Sequence, residues 1–278
     1  MRFPKKSLDM NEAQKYQMNE ELAELAIDPD VLAKELEAEL IGDPLDEIDL
    51  DGFESKDSDA SRECELGLNW LKQGQEERLQ GLRIFCEYRD PRALPLLVPL
   101  LAEPCPVIRM SAVYALGRNP CPRAVEILLT LLKTDSNAYV RKATAWSLGN
   151  YPDAPVIEPL INALKNDVSA VRLWASGSLA EAGSLSTESA ELAAKQLLIS
   201  LQVDNEPVVR SNCIWSLGRL YEKLSELLKL KSEEAFVNIL ISDFEPSVRY
   251  EARIALEQLE SLTAQTKLKR LLDEGLLA

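Results

Sequence analysis

Apolar residues recur along most of the chain at helical spacing, in paired blocks. Segments such as "RALPLLVPLLAE", "RAVEILLTLLKT", "APVIEPLINALKN" and "AELAAKQLLISL" place leucines three and four positions apart. Each is followed by a second block with an arginine near its start, and six such arginines align: Arg78, Arg109, Arg141, Arg172, Arg210 and Arg249, spaced 31, 32, 31, 38 and 39 residues. Seven positions after each stands a large apolar residue: Phe85, Leu116, Leu148, Leu179, Leu217 and Leu256. The pattern predicts helix-turn-helix units of about 31 residues that lengthen toward the C-terminus. One such unit cannot bury its apolar face alone, so the units must stack.

The register assigns most of each unit. With 100° per residue, offsets −1, +3, +6 and +7 from the arginine share one side and hold small or aliphatic residues, which predicts the core face. Gly117, Gly149 and Gly218, at offset +8, sit where a glycine would end a helix in the left-handed conformation. Pro95, Pro99 and Pro159 fall within the first helices and predict tilts or kinks there. Five arginines have a carboxylate five or six positions upstream, at Glu103, Asp135, Asp167, Asp204 and Asp243, placed to pair within or between units. Offset +5 points away from the core, and its occupants are Arg83, Tyr114, Trp146, Gly177, Trp215 and Ile254. The stretches "VRKATAWSLGN" and "VRSNCIWSLGR", 69 residues apart, repeat a tryptophan in that slot. Their serines, Ser147 and Ser216, occupy the small +6 position and have no candidate base in sequence context.

The stretch "YRDPRALPLLVPLLAEPCPVIRMSAVYALGR" follows the pattern VRxxAxxALGxxxDPRAxxxLxxLLxD, and on it the chain resembles the HEAT-like repeats of the phycobiliprotein-lyase type over about residues 61–260. The resemblance implies an all-α, right-handed α-solenoid of about six repeats, with residues 61–278 forming the solenoid and its C-terminal capping helix. It also implies that the second helix of each unit lines a concave groove. Tyr114, Trp146, Trp174 and Trp215 would then form an aromatic track along that groove, with Met110, Lys142 and Arg83 beside it. Exposed aromatic clusters rimmed by polar groups mark interaction sites. The expected function is a non-catalytic scaffold or assembly factor holding a partner protein, as in cyanobacterial HEAT-like proteins, one of which partners an A-type iron-sulphur carrier. The alternative that the resemblance implies is a phycobilin lyase subunit, or a phycobilisome factor acting on a phycobiliprotein and its bilin.

Composition narrows these classes. The chain has no histidine, the commonest general base and metal ligand, and di-iron hydroxylases built on HEAT-like solenoids use histidine and glutamate ligands. No phosphate-binding glycine loop occurs. An enzyme is not expected beyond an accessory lyase subunit, and no cofactor is assigned. The five cysteines form no CxxC, and an odd number argues against a disulfide framework. Cys105 and Cys121 bracket one predicted helix and cannot share an ion, which leaves Cys86 and Cys121 as the weak metal candidates. Cys64 and Cys213 read as structural.

Net charge is −15, and residues 1–60, with 18 acidic and 6 basic side chains, carry −12 of it. This balance disfavours nucleic acid. Residues 1–60 are expected to be a largely disordered acidic segment with one short amphipathic helix over 30–40, serving as a solvated tail or as a docking element for a basic partner or for the groove. No apolar run is long enough for a membrane span or a secretory signal, so a cytoplasmic protein is expected.

Overall fold

A computed structural model of the chain describes residues 57–273, apart from 152 and 260. Residues 1–56 of the acidic segment, with the short helix expected over 30–40, and the last five residues lie outside the described residues. Thirteen α-helices and no strands occur among the described residues: α1 (Asp57–Trp70), α2 (Gln75–Glu87), α3 (Leu94–Leu100), α4 (Pro106–Arg118), α5 (Val125–Thr134), α6 (Ala138–Leu148), α7 (Ile157–Asn166), α8 (Ser169–Gly183), α9 (Thr187–Val203), α10 (Pro207–Leu220), α11 (Glu226–Ser242), α12 (Pro246–Gln258) and α13 (Leu262–Asp273). Odd-numbered helices alternate with the arginine-bearing even-numbered ones. The even-numbered helices pack on one another in an unbroken row from α2 to α12, while the odd-numbered ones touch more sparsely. We call the even-numbered, more closely packed layer the inner one.

The starts of the inner helices are written in the sequence. Pro106, Pro207 and Pro246 open α4, α10 and α12, where a missing N–H costs nothing. The side chain of Asn137 opens α6 by accepting from the backbone N–H groups of Tyr139 and Val140. The outer-helix prolines act differently from expectation. Pro95 and Pro159 stand in the first turns of α3 and α7, where no intrahelical bond is lost. Only Pro99 is internal, and α3 is a seven-residue helix that ends just beyond it.

The core column is as the register predicts. Phe85, Leu116, Leu148, Leu179, Leu217 and Leu256 are completely buried, and so are Val140, Val171, Val209 and Val248 at offset −1. Each such leucine contributes about 1.5–3 kcal/mol of hydrophobic stabilisation. Offset +3 holds only small groups, Ala112, Thr144, Ala175, Cys213 and Ala252, all fully buried, which lets the two layers approach. Burial raises the Cys213 thiol well above its ordinary value, which keeps it protonated and inert.

The expected glycine caps are a correction. Gly117 and Gly218 lie inside α4 and α10, and Gly149, which follows α6, has right-handed dihedrals of −59° and −23°. Two of the three serve close packing instead. A methyl at residue 149 would lie 2.9 Å from Ser178 Oγ, and one at residue 117 would lie 2.3 Å from Trp146 Cζ3. At Gly218 the same construction meets nothing within 4 Å.

The aligned arginines form a ladder that runs between units. Arg109 donates through Nε and Nη2 to the Asp135 carboxylate (2.8 and 2.9 Å), Arg141 to Asp167 (2.9 and 2.8 Å), Arg172 to Asp204 (both 2.7 Å) and Arg210 to Asp243 (2.8 and 2.7 Å). The Nη1 of each reaches back to a carbonyl of its own turn, such as Glu103 for Arg109 and Asp204 for Arg210. Each arginine therefore ties its own turn to the carboxylate of the following one. At the ends, Arg78 pairs with Glu103, and Arg249 donates to the Asp243 and Phe244 carbonyls.

Polar side chains also staple neighbouring units. Asn119 accepts from the Asp90 N–H (2.8 Å) and donates to the Phe85 carbonyl (3.0 Å). The buried Tyr151 hydroxyl donates to the Leu116 carbonyl (3.0 Å) and accepts from the Cys121 N–H (3.4 Å), and burial pushes its pKa up to about 12. Tyr151→Phe strands two buried backbone groups, so it is expected to lower unfolding free energy by about 1–2 kcal/mol. A urea midpoint unchanged from the parent chain would refute that assignment. At the far end the buried Glu233 carboxylate accepts from Tyr221 and Ser261 and lies 3.6 Å from Lys267, which anchors α13.

Candidate functional site

The +5 column lies on the inner layer, but its side chains fare unequally. Tyr114 and Met110, expected on an exposed track, are buried, at 1% and 3% exposure. Each inner helix is flanked by two others, so only a narrow strip of it reaches the groove. Tyr114 is covered by the ring of Trp146 from the next inner helix, edge-on at 65° with centroids 5.5 Å apart. The Trp146 indole in turn lies against Gly117, the only residue small enough to admit it. Trp146 is half-buried, and one of its faces has a packing duty.

The next unit breaks this arrangement. On α8 the +5 slot is Gly177, and the atoms nearest a methyl at residue 149, the counterpart of residue 117, are those of Ser178 instead of a ring. The missing side chain leaves an apolar cavity of about 440 Å³ on the inner face. Trp146, Trp174 and Trp215 wall it, and Gly149, Gly177 and Ser178 line it too. Trp174 comes from offset +2 of α8, and Trp215, at 43% exposure, from α10. Asn212 fixes the α8–α10 spacing by donating to the Leu173 carbonyl (2.9 Å) and to Ser176 Oγ (2.8 Å).

Charge surrounds the indoles. Lys142 Nζ stands 5.9 Å from the Trp174 ring centroid, and the Arg219 guanidinium 5.6 Å from that of Trp215, both within cation–π range. Arg219 also pairs with Glu181 across the rim at 3.1 Å. Of the residues singled out from sequence, Trp146, Trp174, Trp215 and Lys142 come together here. Arg83 is exposed on α2, two inner helices from α6, and does not line the cavity. Gly177, Asn212, Glu181 and Arg219 were not singled out. A gap in the +5 column at Gly177 was the signal that marks them.

The cysteine pair considered for metal is buried. Cys86 Sγ donates to the Ser111 carbonyl at 3.7 Å, and Cys121 precedes a 3₁₀ turn at Pro122–Ala124. Among the described residues no three or more Cys, Asp or Glu side chains are grouped to hold an ion. Nor is any helix among them long and apolar enough to cross a membrane.

HEAT repeats match residues 68–149 and 125–218, together more than half of the chain. The chain belongs to the HEAT-repeat family. Among solved structures it is similar to a designed armadillo repeat protein in complex with the peptide (KR)4, at 21% identity, with a TM-score of 0.54, covering 69% of this chain and 97% of that one. A second designed armadillo repeat protein matches at 20% identity and a TM-score of 0.51, over 69% and 97% of the two chains. An engineered protein matches at 19% identity and 0.51, over 74% and 67%. These likenesses are in fold. No curated protein matches the chain in sequence.

Proposed function

We propose that the protein is a non-catalytic scaffold whose inner groove holds a partner protein at the cavity over Gly177. The carrying observation is the convergence of three indoles, from α6, α8 and α10, on one cavity of about 440 Å³. Tryptophan is the residue most enriched where truncation costs an interface its affinity. A designed repeat protein of similar fold is complexed with a peptide, which accords with this use of the architecture. The test is affinity capture from host extract with the full chain and with a Trp174→Ala, Trp215→Ala variant. These two tryptophans are chosen over Trp146 because Trp146 also packs on Gly117. The variant is expected to keep its helical circular dichroism and to bind the captured protein at least about tenfold more weakly, the loss of one modest hot spot. Undiminished binding would overturn the reading.

Mass identification of the captured protein tests the finer readings, an iron-sulphur carrier or a phycobiliprotein. The cavity volume also lies within the range of small-molecule sites, which favours a second reading in which the indoles stack on a bilin during its attachment or removal. Mixing the chain with phycocyanobilin and an apo-phycobiliprotein should then shift the visible absorbance, and a spectrum equal to that of the components would dispose of it.

A further inference from the structure

Accepting the groove reading above, we infer that the segment seated there is anchored by one arginine, whose guanidinium enters the cavity among the three indoles and pairs with Glu181. The lining sets the sign of the charge. Of the residues around the cavity Glu181 alone is charged, and the rest are the indoles, Leu173, glycines and small polar groups. The face of an indole carries the negative part of its quadrupole and attracts a cation, as Lys142 already shows on Trp174. Asn212 acts in the same sense. Its Nδ2 hydrogens go to the Leu173 carbonyl and to Ser176 Oγ, so the remaining capacity of the amide is its acceptor, Oδ1. A partner carboxylate in the same place would meet Glu181 as a like charge.

Arg219 displays the two contacts that such an anchor makes. Its guanidinium stands 5.6 Å from the Trp215 ring centroid, and its Nη2 donates to Glu181 Oε1 at 3.1 Å. A planar guanidinium stacks on a ring while its N–H groups reach a carboxylate, which a compact, strongly hydrated ammonium does less well. Arg219 does not itself line the cavity, so the space stays open. Both members of the Arg219–Glu181 pair are about half exposed, so their mutual attraction is weak, and a carboxylate has acceptor sites for a second guanidinium. The number of cations follows from the inner layer. α4, α6 and α10 contain no aspartate or glutamate, and α8 contains Glu181 alone. A run of lysines or arginines would find no further carboxylate on these helices. The occupant is therefore a single arginine in an otherwise uncharged stretch.

The test uses the full chain and capped eleven-residue peptides of glycine and serine with one central arginine, titrated to millimolar concentration and read by intrinsic tryptophan emission. The arginine peptide is expected to bind, and to weaken about tenfold when the neutral isostere citrulline replaces arginine. Lysine in the same place should bind several-fold more weakly, and glutamate not at all. On the protein, Glu181→Gln should weaken the arginine peptide several-fold, whereas Arg219→Ala, which leaves the carboxylate to the peptide, should tighten it. Both side chains are about half exposed, so the helical circular dichroism of these variants is expected to match the parent chain. Citrulline, lysine or glutamate bound as tightly as arginine, weaker binding by Arg219→Ala, or no binding of the arginine peptide overturns the inference. If no peptide binds and the Trp174→Ala, Trp215→Ala variant still loses the captured protein, the groove reading survives while the arginine anchor does not.

Discussion

Replacing Asp204 with alanine is expected to lower unfolding free energy by about 2–3 kcal/mol. The Asp204 side chain is 5% exposed and receives two 2.7 Å bonds from Arg172, itself 19% exposed. One carboxylate oxygen also accepts from the Glu206 N–H at 3.0 Å, which shapes the turn before α10. Alanine leaves a largely buried guanidinium with only the Asp167 carbonyl, at 2.9 Å. Breaking a fully buried pair from one side costs about 3–5 kcal/mol, and the partial exposure of Arg172 places this rung somewhat lower. The melting temperature should fall by roughly 5–10 °C, given the size of the helical array. A fall under 2 °C would show that the ladder decorates the fold without holding it.

The same rungs set the response to acid. Burial works against ionisation of Asp204 and of Asp243, but the guanidiniums of Arg172 and Arg210 and the N–H groups of Glu206 and Glu245 outweigh it, holding both carboxyls below the ordinary value. Their contribution is complete above the unfolded aspartate pKa of about 3.9 and is lost as the pH falls through the lower folded values. Asp204→Asn should therefore be less stable than the parent chain at pH 7, with the difference narrowing below about pH 4. Chemical denaturation at the two pH values checks this. A difference that stays constant would mean that hydrogen bonding, and not charge, carries the rung.

The core was legible because offset +7 obeys one rule in every unit: a residue facing the other layer is buried whatever its neighbours along the solenoid are. The ladder was legible in its members but not in its direction, since spacing alone leaves Asp135 equally placed for Arg109 and Arg141. Tyr114 was misread for a related reason. A helical wheel treats α4 alone, and the ring that covers Tyr114 belongs to α6, 32 residues later. The cavity is a harder case still, because it is formed by a residue that lacks a side chain. Its signal was the interruption of a column of Tyr114, Trp146 and Trp215 by Gly177, which reads as noise until three indoles are seen around it.

The glycine column yields the last expected result, in which one substitution takes opposite signs at two equivalent positions. In a helix interior, alanine is favoured over glycine by about 1 kcal/mol. At Gly218 nothing lies within 4 Å of the added methyl, so Gly218→Ala should stabilise the chain by up to that amount. At Gly117 the methyl would fall 2.3 Å from Trp146 Cζ3 and 3.1 Å from Ser147 Oγ. The indole must then leave its seat and its edge contact with Tyr114, at a cost of about 1–3 kcal/mol for overpacking. Over most of that range it exceeds the propensity gain, and a net loss of up to about 2 kcal/mol is expected. Because the loss acts through one ring, a double-mutant cycle identifies it: Trp146→Ala should relieve most of the penalty of Gly117→Ala, giving a coupling energy above about 1 kcal/mol between two residues in contact. Additive effects would mean that Gly117 is needed for something other than seating Trp146.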